Sequence, residues 1–356
     1  MGMEKGGADG RGPQHFQAFA AAACVIGAPP SPPIPSALST LVTGAAGFIG
    51  SHLSEAVVAR GEEVVCLDSF DPYYDPAVKE RNLAGLRASG RFVEIRGDIR
   101  DPDAWRRAPD GVDTVVHLAA RAGVRPSIAE PALYADVNVT GTQRMLDFVR
   151  ERGIGAVVFA SSSSVYGNCP TVPLSEAADV HDPISPYAAT KLAGEMICRT
   201  AHNLTGVSVV AARLFTVYGP RQRPDLAIHK FARLLSAGRA VPRFGDGTTA
   251  RDYTYVDDLV AGLLASLALV RSGPGVFEVV NLGSDHPVTL NDLIAVLGEA
   301  LDVEPRIEEL PPQPGDVERT WADVSHARGL LGYAPRTPFR EGIGRFVEWL
   351  EGQAPA

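Results

Sequence analysis

From residue 39 onward, short β-branched or apolar runs alternate with longer stretches in which apolar residues recur at helical spacing. This rhythm predicts parallel strands joined by helices. Strands are expected at 39–43, 63–68, 92–96, 114–118, 156–161 and 208–213, and helices near 48–60, 133–152 and 186–204. The fold class is α/β, a doubly wound parallel sheet. After Gly219 the rhythm breaks into loops rich in Pro and Gly, with helices near 226–237 and 339–351. Residues 39–218 are expected to build the sheet domain, completed by part of 250–285. Residues 219–356 are expected to form mainly a smaller C-terminal α/β lobe over the strand ends.

Composition narrows the classes. With 356 residues, 45% of them hydrophobic and 21% charged, the chain can bury a full core. A formal net charge of -9 argues against a nucleic-acid or anionic-membrane partner, since either requires a dominant basic surface. Cys24, Cys66, Cys169 and Cys198 lie far apart, so neither a metal site nor a disulfide framework is expected, and a reducing cytoplasm is. No apolar run approaches the roughly 20 residues that span a bilayer. The Ala-rich stretch at 19–27 runs into a Pro-rich one, so residues 1–38 are expected to be a disordered extension and not an export signal.

The first chemical signal is Leu41-Val42-Thr43-Gly44-Ala45-Ala46-Gly47-Phe48-Ile49-Gly50. Three glycines fall at the turn between the first strand and its helix. Without side chains they let the backbone approach a pyrophosphate, whose charge the helix N-terminus favours, while Gly50 allows tight helix-to-strand packing. Asp68 ends the second strand, where a carboxylate binds a ribose 2′-hydroxyl and repels a 2′-phosphate. No Arg follows it immediately, so NAD is expected over NADP. Asp98 with Ile99, then Leu118, Ala119 and Ala120, and finally Asn138 fall where the rest of the cofactor should lie. Asp98 could equally cap a helix starting near Asp101, and Asn138 could be a buried amide tying helices together.

The second signal is Ser185-Pro186-Tyr187-Ala188-Ala189-Thr190-Lys191. Tyr187 and Lys191, four apart, share one helical face, and Ser185 and Pro186 suit the N-cap and first helical position. The helix terminus and the ammonium should both favour a phenolate at Tyr187, making it a base. The strand before it ends in Ser161-Ser162-Ser163-Ser164. This run is either a loop satisfying its own backbone groups, or Ser162 shares its hydroxyl with a substrate oxygen and Tyr187.

Together these motifs resemble the extended short-chain dehydrogenase/reductase family, with its Rossmann-type fold, and within it the UDP-sugar epimerases. The resemblance runs from Leu41 to Leu350. Three strings are similar to the branch that epimerises UDP-glucuronate: Phe70-Asp71-Pro72-Tyr73-Tyr74, Arg121-Ala122-Gly123-Val124-Arg125 and Thr216-Val217-Tyr218-Gly219-Pro220-Arg221-Gln222-Arg223-Pro224. The resemblance implies an NAD-dependent isomerase that interconverts UDP-glucuronate and UDP-galacturonate through a transient 4-keto sugar. Tyr187, Lys191 and Ser162 would be catalytic, with the two helix residues also touching NAD.

The resemblance further implies that Arg251 grips the UDP diphosphate, Phe244 meets the uracil and Asp316 lies near its ribose. Ser163, Thr216 and Arg223 are candidates for the uronate carboxylate, although Thr216 could be core and Arg223 a solvated loop charge. Related decarboxylases and dehydratases carry an acid within the segment that is Ser162 to Ser164 here, which argues against both. A UDP-glucose or UDP-N-acetylglucosamine 4-epimerase would share these motifs, and so would a non-catalytic NAD-binding scaffold. A homodimer through the helices near 133–152 and 186–204 is also implied.

Overall fold

The computed structural model describes residues 2, 38–311 and 317–353 of the chain. Twelve strands occur among them: β1 (Ser39–Thr43), β2 (Glu63–Asp68), β3 (Phe92–Arg96), β4 (Thr114–His117), β5 (Ala156–Ser162), β6 (Ser208–Leu214), β7 (Thr216–Tyr218), β8 (Val241–Phe244), β9 (Ala250–Tyr255), β10 (Phe277–Leu282), β11 (Pro287–Thr289) and β12 (Ile307–Leu310). Seven of them form one parallel sheet in the order β10-β6-β5-β4-β1-β2-β3. This is the doubly wound Rossmann arrangement the apolar rhythm predicts. The six predicted strands appear within one residue of their expected ends.

Alternate residues of each strand feed two cores. Leu41, Val65, Val115, Val157 and Val209 pack on one face with Met145 and Phe148 of the Gly141–Glu151 helix. Val42, Cys66, Val116, Val158 and Val210 pack on the other with Phe48 and Leu53 of the Phe48–Ala59 helix and Leu259 of the Val256–Arg271 helix. Burial on both faces explains why the strands read as apolar runs.

Two smaller sheets lie beyond. One has the order β11-β9-β7, and β8 pairs with β12 in the other. Asp252 of β9 is fully buried and accepts the backbone N–H groups of Ser284, Asp285 and Ala322 at 2.6, 3.1 and 3.0 Å. It therefore ties β9 to the loop after β10 and to the chain near residue 322.

The helix expected at 133–152 runs without a break but is not α-helical throughout. It comprises Pro131–Ala135, a π-turn at Asp136–Thr140 and Gly141–Glu151. The extra residue in the π-turn is a local insertion into the helical ladder, to which a 3.6-residue apolar period is insensitive.

Candidate active site

A cavity of about 490 Å³ opens at the carboxyl ends of the parallel strands. Its wall includes Leu67 and Asp68 from β2, Leu118 just beyond β4, Ser161 and Ser162 from β5 and Leu214 from β6. It spans β1 and β4, adjacent strands from which the order runs outward in opposite directions. Such switch points are where open α/β sheets bind ligands.

One part of the wall is built from backbone. Gly44, Gly47, Phe48, Ile49 and Gly50 line it, and Gly44 has φ +73°, a conformation that favours glycine. A Cβ on Gly50 would lie 2.2 Å from the Gly44 carbonyl oxygen, so helix and strand can approach this closely only with glycine. Gly47 caps the Phe48–Ala59 helix without a side-chain hydrogen bond, and the first turn holds no acidic residue. The terminal N–H groups and the helix dipole thus suit a pyrophosphate.

Asp68 closes this part. Its carboxylate accepts from Ala46 N at 3.1 Å and Phe70 N at 2.8 Å, and meets Lys79 Nζ at 3.4 Å. Lys79 is buried and lines the cavity, a residue sequence reasoning did not single out. Nothing in the spacing of an exposed-looking helical lysine marks it. Asp98, Ile99, Leu118, Ala119 and Ala120 also line the wall, with Arg100 forking onto Asp98 and holding its carboxyl below the usual range.

Asn138, by contrast, is absent from the lining. It sits buried on the π-turn, accepts from Arg121 N at 2.8 Å, and donates to Arg121 O and Thr190 Oγ1, both at 3.0 Å. Its contacts tie the π-turn to the loop after β4 and to the Pro186–Thr205 helix, so it shapes the wall from behind.

Tyr187, Lys191, Ser162 and Ser163 come together on the same cavity. The Pro186–Thr205 helix begins as expected, with Ser185 Oγ accepting from Ala188 N at 3.1 Å and Pro186 in the first turn. The expected electrostatics of the pair are not found. Lys191 Nζ donates to Ala160 O at 2.7 Å and lies 5.4 Å from the Phe159 ring centre. Burial lowers its pKa to about 8, against the opposing charges of Cys198 and Glu195. Burial likewise raises the Tyr187 phenol above its usual value, while a hydrogen bond from Ser162 and the charge of Arg223 pull it down. The counterweights to burial are Ser162 and Arg223, not Lys191.

Ser162 makes the contacts of the first reading of the serine run, and its Oγ donates to Ser164 Oγ at 3.1 Å. It accepts from Ser164 N at 3.1 Å, capping a 3₁₀ turn at Ser163–Tyr166, and also reaches Tyr187. Its neighbour Ser161 points into a buried cluster in which Arg213 forks onto Glu195 with two contacts of 2.9 Å.

Thr216, at the start of β7, is half-buried and lines the cavity instead of entering the core. Arg223 lines it too. Its guanidinium is held by Asp225 at 2.9 and 2.7 Å and lies 5.5 Å from the Tyr73 ring, so it is no solvated loop charge. Phe244 and Arg251 are not part of this wall. Phe244 ends β8 beneath Arg125, and Arg251 of β9 donates to Ala250 O at 2.9 Å. Asp316 lies outside the described residues.

Comparison with known proteins then fixes the kinship. The model of the NAD dependent epimerase/dehydratase family matches residues 40–283. The chain belongs to this family. The match begins at the second residue of β1 and ends one residue beyond β10, so it takes in the parallel sheet apart from Ser39. Among the relatives, UDP-glucuronate 4-epimerase 4 of Arabidopsis thaliana is 41% identical over 328 residues, 88% of this chain and 75% of its own length. UDP-glucuronate 4-epimerase of Thermodesulfobacterium geofontis is 39% identical over 313 residues, 87% of this chain and 95% of its own. The crystal structure of UDP-glucuronic acid 4-epimerase from Bacillus cereus, in complex with UDP-glucuronic acid and NAD, aligns with a TM-score of 0.82 at 35% identity. That alignment covers 88% of this chain and 99% of the other.

Proposed function

We propose that this family member is an NAD-dependent isomerase that interconverts UDP-glucuronate and UDP-galacturonate at C4. The observation that carries the reading is the meeting of Tyr187 and Ser162 beside Arg223 on one cavity whose serine turn holds no acid. The relatives just described support it.

NAD fits the backbone-built part of the cavity: Gly44, Gly47 and Gly50 would admit the pyrophosphate, and Asp68 would take a ribose hydroxyl. When bound, it supplies a hydride acceptor that gives the same hydride back. The chain's own task is the proton. Tyr187 takes it from the C4 hydroxyl with Ser162 as relay, and returns it once the sugar has presented its other face. Lys191 would hold the nicotinamide ribose, a role needing no proton transfer.

We assign NAD binding to residues 39–218 completed by part of 250–285, and the grip on the uridine diphosphate to Arg251, Phe244 and Asp316 in residues 219–356. An arginine fork suits phosphate oxygens and an aromatic face suits a base. Holding the diphosphate while the sugar turns lets both faces meet one hydride.

A 4-keto uronate is a β-keto acid, prone to losing carbon dioxide. Ser163 and Thr216 would hold the carboxylate with neutral hydroxyls, and Arg223 with its charge, and no acid assists the loss. The expected products from UDP-glucuronate are UDP-galacturonate and no pentose, read by chromatography of the reaction mixture. Abundant UDP-xylose or UDP-4-keto-pentose would overturn the assignment.

We also propose a cytoplasmic homodimer. Burial pushes the thiols of Cys66 and Cys198 up, to about 12 for Cys198, consistent with cysteines that stay reduced. No described helix is long and apolar enough to cross a membrane. Along the Pro186–Thr205 helix, Met196 and Leu204 are exposed beside a groove of about 580 Å³ shared with the Gly141–Glu151 helix, an apolar face suited to a second copy. Light scattering tests the mass, and a monomer at micromolar concentration would reject the dimer.

A further inference from the structure

The cavity wall near Tyr187 carries a second cation that the mechanism above leaves without a task. Tyr73 has the guanidinium carbon of Arg121 and that of Arg223 each 5.5 Å from its ring centre. Tyr134 packs edge-on to Tyr187, with ring centres 6.3 Å apart, and feels the charges of both arginines. Two guanidiniums therefore share one aromatic spacer within a residue or two of the reactive phenol. Cation-π contact and partial burial hold such groups in place without neutralising them.

The two arginines are satisfied very differently. Arg223 commits Nε and Nη2 to a fork on Asp225. Arg121 makes one contact to an acid, from Nη1 to Asp71 at 3.1 Å, and its buried Nε has no acceptor among the described residues. A buried N–H without an acceptor keeps the cost of its lost hydration, and the cost is higher when the group is charged. An anionic oxygen entering the cavity would relieve it.

Covalent geometry says which anion. The uronate carboxylate is attached to C5, the neighbour of C4, so it stays near whatever holds C4. The diphosphate is attached through C1 on the far side of the ring. With C4 at Tyr187, the carboxylate is the anion that comes within reach of this cluster.

We infer that Arg121 is a further specificity-determining residue, which together with Arg223 clasps the sugar carboxylate while Tyr73 spaces the two guanidiniums. The inference rests on the epimerase reading above. The experiment compares wild type, Arg121→Gln and Arg121→Lys, measuring KM and kcat for UDP-glucuronate, Kd for UDP, and bound NAD and Tm as controls of folding. If the wild type does not convert UDP-glucuronate, the epimerase reading itself fails.

Given conversion by the wild type, Arg121→Gln should raise KM for UDP-glucuronate roughly ten- to hundredfold, with kcat changed less and UDP affinity unchanged. Arg121→Lys should recover part of the loss, because it restores charge without the planar fork. An unchanged KM overturns the inference, and so does an equal weakening of UDP, which would give Arg121 to the diphosphate. Should Arg121→Gln lose NAD or Tm, Arg121→Lys decides, and a wild-type KM in that variant overturns the clasp.

Discussion

The two parts of the cavity are made of different materials. The part assigned to NAD is backbone: three glycines, a bare helix N-terminus and one carboxylate that binds the loop it closes. The part assigned to the sugar is side chain: Tyr187, Thr216, Arg121 and Arg223, projected from four separate segments. Backbone positions are set by close packing and tolerate little, whereas projected side chains can change with the surrounding fold intact. The first part should lose structure when altered, and the second should lose only chemistry.

The largest expected effect tests the side-chain part. Tyr187→Phe should cut turnover on the order of a thousandfold, with bound NAD and Tm kept, as measured by product formation and thermal melting. A fall in Tm of many degrees would mean the ring is structural and erase the distinction. Next comes the backbone part. Gly50→Ala places a Cβ 2.2 Å from Gly44 O and should cost about 3 kcal/mol, read as loss of NAD and lowered urea resistance together. Wild-type stability there would contradict the packing argument.

Asp68→Ala should be intermediate. It releases the Ala46 and Phe70 N–H groups and removes the ribose contact, so NAD affinity should fall about ten- to hundredfold by calorimetry. Thr216→Val should raise KM for UDP-glucuronate only a few fold, at unchanged Tm, since one neutral hydroxyl is worth about 0.5–1.5 kcal/mol.

Last comes an effect that is absent at neutral pH and grows only in acid, that of His117 at the end of β4. Burial, helped by the charge of Lys191, lowers its pKa to about 3. Its folded pKa lies below the unfolded value near 6.5, so the unfolded chain binds the extra proton first. This contribution to stability is present above pH 6.5 and is lost as pH falls toward 3. His117→Gln should flatten that part of a stability-against-pH curve from urea titrations, and an unchanged slope would assign the acid sensitivity elsewhere.

The same division explains what could be read from sequence. The glycine turn, Asp68 and the Tyr187 helix with its Ser185 cap are local patterns, so a few consecutive residues disclosed them and the strands around them. The rest depends on residues far apart in sequence. Lys79 reaches Asp68 from a later helix, and Arg121 meets Arg223 only through Tyr73. The direction of Lys191 was set by Ala160 and Phe159 on β5, which a helical wheel does not include. The π-turn at Asp136–Thr140 left Asn138 undecidable until its three hydrogen bonds were seen.

The last strand of the large sheet carries a consequence for how the molecule is made. β10 covers the open side of β6, and Arg271, just before it, reaches Glu62, Thr40 and Asp113 at 2.7, 2.8 and 2.9 Å. Every residue assigned to proton transfer leaves the ribosome well before that strand does. At about 5–20 residues per second, the nascent chain spends several seconds with an apolar strand edge uncovered. Biogenesis therefore exposes this protein most when its chemistry is already encoded but its sheet is one strand short.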